Sequence, residues 1–259
     1  MADLVLGRGA DDASSLEAWL ARNGVGEADA AAIMQQGAER FSIYRKLVRG
    51  TLRDAVLCAI PRSVARLGPV FDEYFERYLG ERGPRSRYLR DVTTELLDFC
   101  APLWPADPRV PAWAMDLARH EAVQIVVASE LGRVPGDARP ELRLEAPVRF
   151  IEAARLMRYA HAVHRLAEDP ADRISPVAAP TALLVYRSPE HDVRYLELTP
   201  LAADILERLL RRVPLGQAVG EACASAGRAL DATVVEGTAA LLADLAERGA
   251  LVGSLDGDE

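Results

Sequence analysis

Apolar residues recur along the first half of the chain at intervals of three and four, the spacing that gathers them on one side of an α-helix. The plainest case runs from Ala38 to Ala59, where Phe41, Tyr44, Leu47, Val48, Leu52, Ala55 and Val56 follow that rhythm until Pro61 closes it. A shorter helix is predicted over residues 15–22. Ser14 can cap it, Glu17 stands three residues on, Leu16, Trp19 and Leu20 share a face, and Gly24 stops it. Further helices are predicted over Val64–Arg66, Phe71–Leu79 and Tyr88–Phe99, and over Ala112–Leu131 after the proline-rich stretch 102–111. Residues 1–131 therefore read as an all-α helical domain.

The pattern then changes. Residues 132–147 are polar and hold three Pro and two Gly, so 132–180 is expected to be a connecting segment. Within it, Phe150–Leu166 is compatible with a helix, and Leu142–Ile151 could be extended. Ala182–Tyr186 and Val193–Leu198 are two runs rich in Val, Leu and Tyr, separated by a short stretch holding Pro189, which predicts a β-hairpin. Thr199-Pro200 follows at once, Thr as N-cap and Pro at the first helical position, opening a helix over 200–212. Pro214 opens a second helix to about 226. Asp231 caps a third that Gly249 stops near Arg248, and Leu251-Val252 can form a last strand. Two strands, three helices and a small strand predict an α+β winged-helix-like domain over 181–259. The fold class is thus mainly α, with an N-terminal all-α helical domain and a small C-terminal α+β domain.

Charge changes the functional picture. The chain has 259 residues, half of them hydrophobic and 27% charged, which is the composition of a folded core, and its net charge is −8. Residues 171–259 hold eight Arg against fourteen Asp plus Glu, which argues against a generic clamp on the phosphate backbone of nucleic acid. Residues 40–90 hold twelve Arg plus Lys against five acids, the one candidate anion-facing surface, although arginines on amphipathic helices commonly serve only solvation. No stretch approaches the roughly 20 apolar residues of a membrane span, and Met1–Ala13 lacks an apolar run of signal-peptide length, so a cytoplasmic protein without membrane contact is expected. Cys58, Cys100 and Cys223 are odd in number and widely separated, which suggests buried free thiols rather than disulfides or a zinc site.

Catalytic chemistry has no address in the sequence. No GxSxG elbow, phosphate-binding GxxxxGK, GxGxxG or HExxH occurs. His161 and His164 lie three apart on a possible helix, but no carboxylate spacing completes a metal set, and ordinary structural histidines are the plainer reading. His120-Glu121 sits inside an apolar helix, where a polar pair serves as a buried hydrogen-bond anchor or as part of a partner surface. No catalytic residue, metal or cofactor is expected, and a binding or adaptor protein is.

Two resemblances sharpen that expectation. Glu39-Arg-Phe-Ser-Ile-Tyr-Arg45, Leu52, the Ala59-Ile-Pro61 turn, Val70-Phe71, Tyr78-Leu79, Pro84, Ser86 and Asp116-Leu-Ala-Arg-His-Glu121 together resemble the N-terminal domain of the HvfC/BufC family, often labelled DNA-binding. The aromatic that usually follows the late Glu is Ala122 here. Thr181–Val252, with Leu198-Thr-Pro-Leu-Ala-Ala-Asp-Ile-Leu206, Pro214-Leu-Gly-Gln-Ala218 and the Leu241–Leu251 segment, resembles a PqqD-type domain that recognises leader peptides of ribosomally made, modified peptides. The resemblance implies a groove formed by Arg194, Tyr195, Leu196, Glu197 and Leu198 of the second hairpin strand and by Val235, Thr238, Ala239 and Leu242 of the third helix. The same apolar residues could equally fill a core. Arg40, Tyr44, Arg45, His120 and Glu121 are the candidate partner interface. The implied partners are a precursor peptide and a multinuclear non-haem iron oxidative enzyme, which would carry the iron and the catalysis. The competing reading is a DNA-binding transcriptional regulator using the winged helix or the arginines around Arg45, Arg49 and Arg53.

Overall fold

The computed structural model describes residue 6 and residues 13–130, 138–139 and 141–255. The chain divides into two units, one comprising Met1–Ala122 with Ala167–Ile174, the other Val123–Leu166 with Ser175–Glu259.

The first unit is helical: α1 (Ala13–Arg22), α2 (Glu27–Ala59), α3 (Pro61–Leu67), α4 (Pro69–Glu81), α5 (Leu89–Cys100) and the start of α6 (Ala114–Ser129). Gly24 adopts a left-handed φ of 69°, and Val25 N–H donates back to the Leu20 carbonyl at 3.1 Å, which ends α1 where the sequence predicts. α2 begins at Glu27, well before the expected Ala38. The added turns are Ala-rich with Glu27 and Asp29 at the positive helix end, so propensity and dipole favour helix there with little apolar periodicity to announce it. They pack only lightly, through Ala30 and Met34, on the Leu16 and Leu20 side of α1. The main core lies further on, where Val56, Ile60, Phe71, Phe75, Tyr78, Leu96 and Trp104 are buried together, with Phe71 and Phe75 stacked at 5.9 Å.

A carboxylate from distant sequence closes this core. Helix α3 has Ile60 as N-cap, with no side-chain cap, and Pro61 at its first position. The exposed amides of its first turn therefore need acceptors from elsewhere. Glu121 supplies them: Oε1 accepts from Arg62 N at 2.9 Å and Arg62 Nε at 3.2 Å, and Oε2 from Ser63 N at 2.9 Å and Ser63 Oγ at 2.5 Å. Both members of the Arg62–Glu121 pair are buried. Glu95 does similar work at the other end of α4, accepting from Tyr78 Oη and from the amides of Arg85 and Ser86, which ties the turn after α4 to α5.

The second unit is α+β. Strands β3 (Ala154–Tyr159), β4 (Thr181–Arg187) and β5 (Val193–Leu198) form an antiparallel meander in that order, and β1 (Ala138–Arg139), β6 (Leu251–Leu255) and β2 (Val148–Phe150) a second antiparallel sheet with β6 central. Helices α7 (Pro200–Leu210), α8 (Leu215–Ser225) and α9 (Ala232–Glu247) lie between β5 and β6 in sequence. The predicted caps hold: Thr199 Oγ1 accepts from Ala202 N at 3.3 Å and Asp231 Oδ1 from Val234 N at 2.9 Å. Ser188 and Asp192 close the hairpin, with His191 in the left-handed region at φ 70°.

One expectation is corrected here. Phe150–Leu166 is not a helix, since Ala154–Tyr159 pairs residue for residue with β4 and Val163–Arg165 is a single 3-10 turn. His161 and His164 consequently do not share a helix face. The expected last strand forms, and as β6 it pairs with β1 and β2 from the 132–180 segment.

Glu121→Ala should lower the stability of the first unit by about 3–5 kcal/mol, because it leaves the amides of Arg62 and Ser63 without their acceptor and removes the carboxylate buried against Arg62. Trp19, Trp104 and Trp113 all lie in this unit, so denaturant titration followed by tryptophan fluorescence reads it directly; an unchanged midpoint would contradict the capping role. Burial pushes the Cys100 thiol up to about 12, and Cys223 is also buried, whereas Cys58 is exposed. Iodoacetamide on the native protein at pH 8 should therefore label Cys58 alone, and all three cysteines after unfolding, as read by peptide mass spectrometry.

Candidate functional site

Strand β4 is buried on both faces through Ala182, Leu183, Leu184, Val185 and Tyr186, and it carries a neighbour on each side. β5 pairs with β4 alone among the described residues, so it is an outer strand. Its register fixes which backbone groups look outward. Arg187 N–H donates towards β3, to the Ala153 carbonyl at 3.1 Å, whereas Ser188 N–H donates across the hairpin to Asp192 at 2.7 Å. Because direction alternates along an antiparallel ladder, Val193 and Glu197 turn their amides and carbonyls away from β4.

Beside this strand lies a groove of about 570 Å³ within the second unit. It is lined by Leu196–Leu198 of β5, by Thr199–Ala202 and Ile205 at the start of α7, by Thr233, Val234, Gly237, Thr238 and Leu241 of α9, and by Ala226 and Arg228 between α8 and α9. The apolar residues come from three elements and converge because Thr199-Pro200 turns the chain straight from β5 into α7. At the end of α9, Gly249, at φ 71°, stops the helix, and a Cβ there would stand 2.7 Å from Pro189 in the hairpin turn. At Gly237 a Cβ meets nothing within 4 Å.

Charge around the groove is uneven. Glu197 accepts from Arg165 Nη2 at 2.9 Å and lies 3.3 Å from His164 Nε2, so its carboxylate is engaged. Arg228 is exposed and has no carboxylate within ion-pair distance among the described residues.

The expected peptide-binding residues divide. Leu196, Glu197, Leu198 and Thr238 line the groove. Val235 and Ala239 are exposed away from it, Leu242 is in the core, Arg194 pairs with Asp192 at the hairpin end, and Tyr195 lies on the other face of β5 from Leu196. The helix faces the strand with Val234, Gly237, Thr238 and Leu241, one position earlier than expected, which is a rotation of about 100°. The α7 lining residues and Arg228 escape sequence reading, although the Thr199-Pro200 cap directly after a strand is a local sign that α7 starts at the sheet edge.

Of the candidate partner residues, Arg40 and Tyr44 are exposed on α2 beside exposed Ile43 and Leu47, whereas Arg45, His120 and Glu121 are buried at 3%, 7% and 6% exposure. They do not form one surface. Among the described residues no group of three or more His, Cys, Asp or Glu could hold a metal ion, and no helix is long and apolar enough to cross a membrane.

The second unit thus joins an outer strand, an apolar groove and a flanking helix in one place. Residues 152–246 match the HvfC C-terminal domain, a stretch that spans β3–β5, α7 and α8 and nearly all of α9, and this supports the HvfC family. No curated protein matches the chain.

Alanine at two glycines should act in opposite directions. Gly237→Ala, in an open helical position, should stabilise α9 by about 0.5–1 kcal/mol; Gly249→Ala should cost at least about 1 kcal/mol through its left-handed φ and the Pro189 contact. Amide hydrogen exchange of α9 measures both, and equal protection in the two variants would contradict the packing described.

Proposed function

We propose that this protein is a non-catalytic accessory protein that binds the leader of a ribosomally made precursor peptide and presents it to a multinuclear non-haem iron oxidative enzyme. The observation that carries the reading is the groove between β5 and α9. An extended peptide can add to the outward groups of Val193 and Glu197 as a further strand and set alternate side chains into the apolar lining. The match to the HvfC C-terminal domain over the same residues supports an accessory role. The iron belongs to the partner; this chain's contribution is to raise the concentration of the peptide's reactive segment beside it. The net charge of −8 favours this reading over duplex DNA binding.

The test is co-purification with a candidate iron enzyme encoded nearby, followed by fluorescence-anisotropy titration of its labelled precursor peptide. A stable complex is expected, with leader affinity lowered about tenfold or more, about 1.4 kcal/mol, by Leu196→Asp and by Gly237→Leu, which fills the groove from an open position. Binding unaffected by both substitutions, or salt-steep binding to duplex DNA without any to the peptide, would sink the proposal.

A further inference from the structure

Resting on the peptide-binding reading, we propose that Arg228 makes the groove selective for a peptide bearing an Asp or Glu side chain at one fixed position of the bound strand. The lining is otherwise apolar or hydroxylic: Leu196, Leu198, Leu201, Ile205, Val234 and Leu241 supply side-chain contacts but no charge. Two charged residues line it, Glu197 and Arg228. Glu197 is occupied by Arg165 and His164, which leaves Arg228 as the lining charge without a described counter-ion.

The backbone that carries Arg228 is held in place. Its amide donates to the Cys223 carbonyl at 2.9 Å at the end of α8, Gly227 before it takes a left-handed φ of 62°, and Asp231 three residues later caps α9. The guanidinium therefore starts from a defined point in the groove lining, with no carboxylate in ion-pair distance among the described residues. The alternate residues of an added strand point to opposite faces, so only one register brings a carboxylate to Arg228 while apolar side chains meet the lining. A charge at the rim acts on encounter and register as well as affinity, and its effect falls with salt. An internal Asp or Glu side chain fits this arrangement without requiring a peptide terminus in the groove.

The probe is a displayed library of random twelve-residue peptides, fused at both ends so that a selected carboxylate must come from a side chain. Selections use the full chain, its Arg228→Glu variant and its Gly237→Leu variant. The expected result is a set of binders to the unaltered chain with apolar residues two apart and Asp or Glu at one constant position. Arg228→Glu should weaken those binders by about tenfold at low salt and should itself select Lys or Arg at that position. If the groove-dependent binders carry no constant acid, or Arg228→Glu selects the same peptides, the role of Arg228 is overturned while groove binding stands. If Gly237→Leu enriches the same peptides as the unaltered chain, or no peptide is enriched, the groove reading fails and this inference with it.

Discussion

The second unit depends on a strand that water can touch on neither face. β4 buries Leu183, Leu184, Val185 and Tyr186, each a side chain whose burial contributes about 1.5–3 kcal/mol, and a strand buried in this way needs hydrogen-bonding neighbours on both sides. β5 arrives through the hairpin. The other side is filled by Ala154–Tyr159, whose own composition of Ala, Arg, Leu and Met suits a helix, and the demand of β4 outweighs that preference. Once β3 occupies one side, β5 is left as the outer strand, and α9 supplies the residues across the groove from it. The groove is a consequence of how β4 is satisfied.

The first unit solves a different problem by comparable means. A short helix that starts on Pro61 has amides to satisfy and no capping side chain of its own. Glu121 provides the acceptors and neutralises Arg62 in the same place. A buried carboxylate is tolerable because four donors surround it. The His120-Glu121 pair thus belongs to the interior of the helical unit, and Ile43, Tyr44 and Leu47 form an exposed apolar row on α2.

These two arrangements fit the proposed accessory role, in which a groove built from strand edge and helix would hold a peptide. The lining supplies shape and apolar contact, and the loop between α8 and α9 supplies charge. Such a site gives affinity through backbone pairing, which any sequence can provide, and specificity through a few side chains. On the proposed reading, the weight of selectivity falls on positions such as Arg228 rather than on the strand itself.

Local signals in the sequence determined most of the helices and the hairpin. Thr199-Pro200, Asp231 and Gly249 act within a turn of their own positions, so their caps and stops could be read without knowing what lies nearby. Leu196, Leu198 and Thr238, which line the groove, were named through the resemblance to a PqqD-type domain rather than by such local signals. What only the tertiary structure decided was everything that depends on a distant partner. Ala154–Tyr159 becomes a strand because β4 needs a neighbour, β6 joins β1 and β2, and Glu121 turns inward because α3 lacks a cap 58 or 59 residues away. The rotation of α9 belongs to the same class: the residues that face β5 are set by packing at Val234, Leu242 and Leu245, and a periodic sequence fixes the spacing of a helix face but not which way that face is turned.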